Sequence, residues 1–96
     1  MSYYWKPKDV DLKVRLSGKG YPEDGIYFSI LKVLNDSSYP LAMYRIQSSL
    51  YETEGIIAEE VQRCVYSLLD SGLISKEMKS YVKRFEKKFM YVYRLV

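Results

Sequence analysis

Histidine is absent from the 96 residues, and cysteine occurs only once. The first absence removes the commonest general base and the commonest metal ligand together. The second removes any internal disulfide, which a secreted domain of this size would usually need, so a reducing, intracellular (cytoplasmic) setting is expected. No apolar run approaches the roughly 20 residues of a membrane span. Residues 1–14 hold no uninterrupted hydrophobic stretch fit for a secretory signal. Neither membrane insertion nor export is therefore expected. A Gly-rich phosphate loop is also missing, and the adjacent carboxylates Glu59 and Glu60 would point about 100° apart on a helix instead of converging on one substrate. Enzymatic activity is not expected, and no cofactor or metal is implied.

What the chain does hold is apolar mass and unevenly placed charge. Apolar residues make up 48% of it, enough for one domain with one core. Residues 1–20 carry a net +3, residues 21–75 a net −5, and residues 76–96 a net +5. The last block contains Lys76, Lys79, Lys83, Arg84, Lys87, Lys88 and Arg94 against two carboxylates. Basic ends around an acidic middle are what an electrostatic footprint for a polyanion looks like, although a merely solvated surface has the same composition.

Hydrophobic spacing divides the chain into elements. Val10, Leu12, Val14 and Leu16 alternate with charged residues, which reads as a short N-terminal strand in a basic, aromatic arm over residues 1–20. Ile26, Tyr27, Ile30, Leu31 and Leu34 recur at helical spacing and predict a first helix. A second helix is expected from about Pro40 to Tyr51, with Glu52-Thr53-Glu54-Gly55 as the turn after it. The third, from about Ile56 to Ser71, places Ile57, Val61, Cys64, Val65 and Leu68 in one stripe and ends at Gly72. Its other face carries Glu59, Gln62, Arg63, Tyr66 and Asp70, with Glu59 expected to pair with Arg63. Cys64, in the apolar stripe, reads as a small core residue.

The segment from Lys76 to Lys88 admits two readings. Met78, Tyr81, Val82, Phe85 and Phe89 fit a helical stripe, whereas Leu73-Ile74 and Tyr93-Arg94-Leu95 would pair naturally at the base of a hairpin with its tip near Glu86-Lys87-Lys88. The hairpin is the favoured reading. Aromatic rings interleaved with bases, as in Tyr81-Val82-Lys83-Arg84-Phe85, would also suit stacking on single strands. A domain this small must bury most of its large side chains, however, so these rings are expected in the core.

Three stretches in this order resemble the winged helix-turn-helix domain: Ile30-Leu31-Lys32-Val33-Leu34 leading to Tyr39-Pro40-Leu41, then Val65 through Ile74 with its Leu-Leu and Gly-Leu-Ile, then Tyr91-Val92-Tyr93-Arg94-Leu95. The stretches are similar to those of the MarR and PadR regulator families, and the composition is similar to that of small winged-helix proteins of archaeal viruses. The resemblance implies an α+β fold over residues 21–96, with a three-helix core and a C-terminal hairpin wing. It further implies double-stranded DNA as partner, transcriptional regulation as role, and association as a homodimer. Carried over to this chain, Gln62, Arg63 and Tyr66 would face base edges, Tyr44 and Arg45 would lie near the backbone, and Lys79, Lys83, Arg84, Lys87 and Lys88 would meet phosphates, helped by Lys6 and Lys8. Glu52, Glu54, Glu59 and Glu60 depart from that pattern, since four carboxylates near phosphates would be repelled. The competing reading is a protein-interaction module whose acidic third helix docks on a basic partner, with Tyr3, Tyr4, Trp5, Pro7 and Tyr21 as anchors.

Overall fold

The stripe Val61, Cys64, Val65 and Leu68 forms as expected and lies at the centre of the molecule, each residue 2% exposed or less. The computed structural model describes residues 8–96. Its elements run α1 (Asp9–Gly18), α2 (Ile26–Asp36), β1 (Leu41–Ala42), α3 (Met43–Glu54), α4 (Ala58–Ser71), β2 (Ile74–Lys83) and β3 (Glu86–Leu95). Tyr3, Tyr4, Trp5, Lys6 and Pro7 lie outside the described residues.

The strand expected over residues 10–16 is a helix, α1. The physical reason lies in the pattern itself, because residues at i, i+2, i+4 and i+6 form one face of a strand but two stripes of a helix. Leu12 and Leu16 make one stripe and are fully buried, while Val10 and Val14 make the other and are 62% and 64% exposed. Asp9 and Asp11 occupy the first turn, where the dipole favours anions, and the Lys8 amide donates to the Asp11 carboxylate at 3.2 Å. Lys32 reaches back from α2 to Asp9 at 2.8 Å, and Lys13 pairs with Asp24 at 3.0 Å. Exposed pairs contribute little each, so burial of the two leucines, about 1.5–3 kcal/mol apiece, decides the conformation.

The second helix also differs from expectation at both ends. Leu41 and Ala42 are not helical but form β1, pairing with Tyr93 and Val92 of β3. Both are 8% exposed, so the strand covers apolar surface that a helical turn would leave open. At the other end α3 takes in Glu52 and Glu54, and Gly55 closes it at φ 68°, donating its amide to the Tyr51 carbonyl at 2.9 Å. A side chain there would strain the left-handed backbone. Ile57, expected in the buried stripe of α4, precedes that helix and is 61% exposed.

Residues 76–88 form the hairpin and not a helix. The antiparallel sheet has the order β1-β3-β2, and the β2–β3 register runs unbroken from Ile74↔Leu95 to Lys83↔Glu86. Its tip is Arg84-Phe85, two residues earlier than expected. The rings of this segment are not core as expected: Phe85, Phe89 and Tyr91 are 104%, 59% and 47% exposed. Only the base of the hairpin, at Ile74, Val92 and Tyr93, reaches the interior. Lys76 and Glu77 pair with the buried Tyr93 and Val92, so the ribbon runs free only from Met78↔Tyr91 to Lys83↔Glu86, six residues a strand or about 20 Å at about 3.3 Å each.

Candidate nucleic-acid interface

Three residues, Gly55 to Ile57, separate α3 from α4, and the Gln47 side chain closes the angle by donating to the Ala58 carbonyl at 3.1 Å. This arrangement turns Glu59, Gln62, Arg63, Tyr66 and Asp70 outward, all exposed. Gln62 donates its amide to the Tyr66 hydroxyl at 3.3 Å. Arg63 pairs with Glu60 one turn earlier, not with Glu59, and that hydrogen bond and charge raise the guanidinium pKa above its ordinary value.

Of the four carboxylates that opposed a phosphate-facing helix, two are occupied. Glu54 accepts from the Ser29 hydroxyl at 2.9 Å and Glu60 from Arg63, whereas Glu52 and Glu59 have no side-chain partner among the described residues. Cys64 faces the interior, and burial pushes its thiol up, partly offset by a hydrogen bond with Tyr27. It is packing material, as its place in the stripe indicated.

Cross-strand partners share a face, so the register sorts the basic residues of the hairpin. Lys79, Lys83, Lys88 and Arg94 lie on one face with Tyr81 and Met90. Lys76 and Lys87 lie on the other with Phe89 and Tyr91, and Arg84 stands at the tip. The cations therefore wrap both faces of a two-stranded ribbon instead of forming one flat patch. Lys88 pairs with Glu86 at 3.1 Å, whereas Lys79, Lys83 and Arg84 make no ion pair with any described residue. Lys76 sits 4.6 Å above the Tyr91 ring and Lys87 5.7 Å above Phe89.

Two hollows bring the remaining candidates together. Tyr44, Gln47, Gln62, Tyr66, Tyr91 and Tyr93 line one of about 440 Å³ between α3, α4 and the ribbon. Tyr44 and Arg45 line a second of about 360 Å³ with Tyr39, Lys79, Tyr81 and Met90. Tyr44 and Met90 border both, so these hollows meet where β3 runs on beyond β1. Tyr44, Arg45, Gln62, Tyr66 and Lys79 thus converge at the root of the ribbon, while Lys83, Arg84, Lys87 and Lys88 lie at its outer end. Arg63 lines neither hollow.

The tip has an unfavourable backbone. Arg84 and Phe85 hold φ at 52° and 65°, the left-handed region that a two-residue I′ hairpin turn demands of both its central residues. Asn-Gly satisfies that demand cheaply, whereas an Arg or Phe costs on the order of 1–2 kcal/mol. The double replacement Arg84→Asn with Phe85→Gly is therefore expected to stabilise the fold by about 1–2 kcal/mol and to raise the melting temperature by about 5 °C or more. Calorimetry showing an unchanged or lower transition would mean the tip carries no strain.

No family model and no curated protein matches the sequence. Among solved structures the chain is similar to the ferric uptake regulator Fur of Helicobacter pylori, with a TM-score of 0.66 and 15% identity over 96% of this chain. The fold is a winged helix. α3 and α4 form the helix-turn-helix, β2 and β3 the wing, and α1 adds a fourth helix to the three expected. The match covers 61% of the Fur chain, so this protein spans about three fifths of that length. That structure is described as having three functional metal binding sites. Among the residues described here, no group of three or more Cys, Asp or Glu side chains is placed to hold a metal, and no helix is long and apolar enough to cross a membrane.

The exposure of Phe85 and Tyr91, rings expected in the core, was not read from the sequence. Phe85 was hidden because no Asn-Gly marked the turn, which left the ring looking like one member of a helical stripe. Tyr91 was legible only through the register, since period two puts it beside Tyr93 and opposite Met78 once the hairpin is accepted.

Proposed function

We propose that this chain is a double-stranded DNA-binding protein acting as a transcriptional regulator, a binding protein and not an enzyme. The observation that carries the reading is the wing: about 20 Å of ribbon bearing unpaired Lys79, Lys83 and Arg84 beside the exposed Gln62 and Tyr66 of α4. In this reading α4 enters the major groove, where Gln62 and Tyr66 meet base edges and Arg63 can pair with guanine after releasing Glu60. Tyr44 and Arg45 lie near the sugar-phosphate backbone, and Lys79, Lys83, Arg84, Lys87 and Lys88 neutralise phosphates on either side of the wing. The similarity to a regulator supports the assignment, and the MarR- and PadR-like stretches belong to it. So does a homodimer on a two-fold symmetric site, for which the exposed Val10 and Val14 of α1 offer an apolar contact surface.

Five phosphate contacts give a slope of log K against log salt of about −4 to −5, so raising salt from 50 to 200 mM should weaken duplex binding several-hundredfold. Fluorescence anisotropy on a labelled duplex reads this directly. Absence of binding at 50 mM salt would remove the proposal. A second reading, docking of acidic α4 on a basic protein, draws on exposed Tyr51 and Ile57 flanked by Glu52 and Glu59. It gains ground if native purification yields a stoichiometric protein partner free of nucleic acid.

A further inference from the structure

Resting on the duplex-binding reading, we propose that Phe85 is a wedge that enters the minor groove from the wing tip, inserts between adjacent base pairs and kinks the bound DNA. Its ring is fully exposed at 104% and contacts no described aromatic or cationic side chain. The backbone beneath it, at φ 65°, is one that Phe occupies poorly and Gly occupies freely, so neither the turn nor the core accounts for an aromatic residue there. An unexplained residue held in a sparsely populated conformation is where function is to be sought.

The surroundings specify what the ring meets. Lys83, Arg84, Lys87 and Lys88 lie within three residues, and the only nearby carboxylate, Glu86, is neutralised by Lys88. A partner that accepts an apolar ring inside a frame of cations must present a flat apolar interior between anionic rails, which describes stacked bases between phosphates. Width narrows the choice further. Two strands about 5 Å apart with side chains on both faces cannot lie within a minor groove about 6 Å wide, but a single ring at the tip can enter it. Apolar side chains inserted in this way unstack a step and bend the duplex toward the major groove. Gln62 and Tyr66, at the root of the same ribbon, would find hydrogen-bonding partners on the base edges of that duplex.

The test uses the full chain and a duplex of about 30 base pairs containing several TA steps, which unstack easily. Energy transfer between dyes at the two ends reports the bend, and 2-aminopurine at the steps reports unstacking. The wild type is expected to bend the duplex and brighten the probe. Phe85→Ala should abolish both and weaken binding about tenfold while leaving the salt slope unchanged, because no phosphate contact is lost. Phe85→Leu, which keeps an apolar wedge, should restore the bend. Binding without a bend by the wild type, or an undiminished bend with Phe85→Ala, overturns the wedge and leaves the duplex-binding reading standing. Failure of the wild type to bind duplex at all removes both. Capture of the wild type on phosphatidylserine vesicles, lost in Phe85→Ala and with no duplex bend, assigns the tip to lipid and likewise overturns the proposal.

Discussion

Replacing Lys83, Arg84, Lys87 and Lys88 together by glutamate should lower duplex affinity at 0.1 M salt by about a thousandfold or more. The estimate follows from counterion release, in which each neutralised phosphate contributes about 0.9 to the salt slope, so four contacts correspond to a loss of 3 to 4 in that slope. Repulsion by the introduced carboxylates adds to the effect. All four residues are exposed and beyond the buried base of the hairpin, so a comparable loss of stability is not expected. A matched thermal transition with collapsed affinity is thus the expected pair of results. If affinity and slope are both unchanged, the wing does not touch DNA, and the contact must lie on α4 or elsewhere. The split of these cations over both faces sharpens the experiment. Reversing only Lys83 and Lys88, or only Lys87, should cost roughly in proportion to the charges removed if phosphates lie on both sides of the ribbon. It should be nearly silent for the face turned away if they do not.

The parts of the fold that were legible in the sequence are those where one physical rule operates alone. In α4 the helical stripe, the acidic first turn and the terminal Gly72 all agree, and the exposed face carrying Gln62, Arg63 and Tyr66 follows from the same spacing. The pairing of Leu73-Ile74 with the C-terminal strand was legible because both ends are apolar and β-forming. What was not legible depended on distant partners. Leu41 and Ala42 become a strand only because Val92 and Tyr93 lie alongside, and Glu54 gains a partner only because Ser29 of α2 reaches it. The tip at Arg84-Phe85 breaks the local preference that would have revealed it. Conflict between local preference and adopted structure is expected at sites kept for function, and in this chain it falls on the residue to which a role in bending DNA is assigned.

Leu16→Ala is expected to destabilise the protein by about 2–5 kcal/mol, a large share of the 5–15 kcal/mol that holds a domain together. Leu16 is fully buried in α1 and belongs to the same cluster as Leu31, Ile30 and Leu68, so truncation leaves a cavity in the centre and not at a margin. The neighbouring change Val14→Ala should fall within about 0.5 kcal/mol, since that side chain is 64% exposed. The contrast carries the information. A strand through residues 10–16 would put Val10, Leu12, Val14 and Leu16 on one face and give the two substitutions similar costs. A domain beginning at residue 21 would make both nearly silent. Only a helix docked by Leu12 and Leu16 separates them, and urea denaturation of the two variants measures the difference. If Leu16→Ala costs less than about 1 kcal/mol, α1 is an appendage of the winged helix and not part of its core.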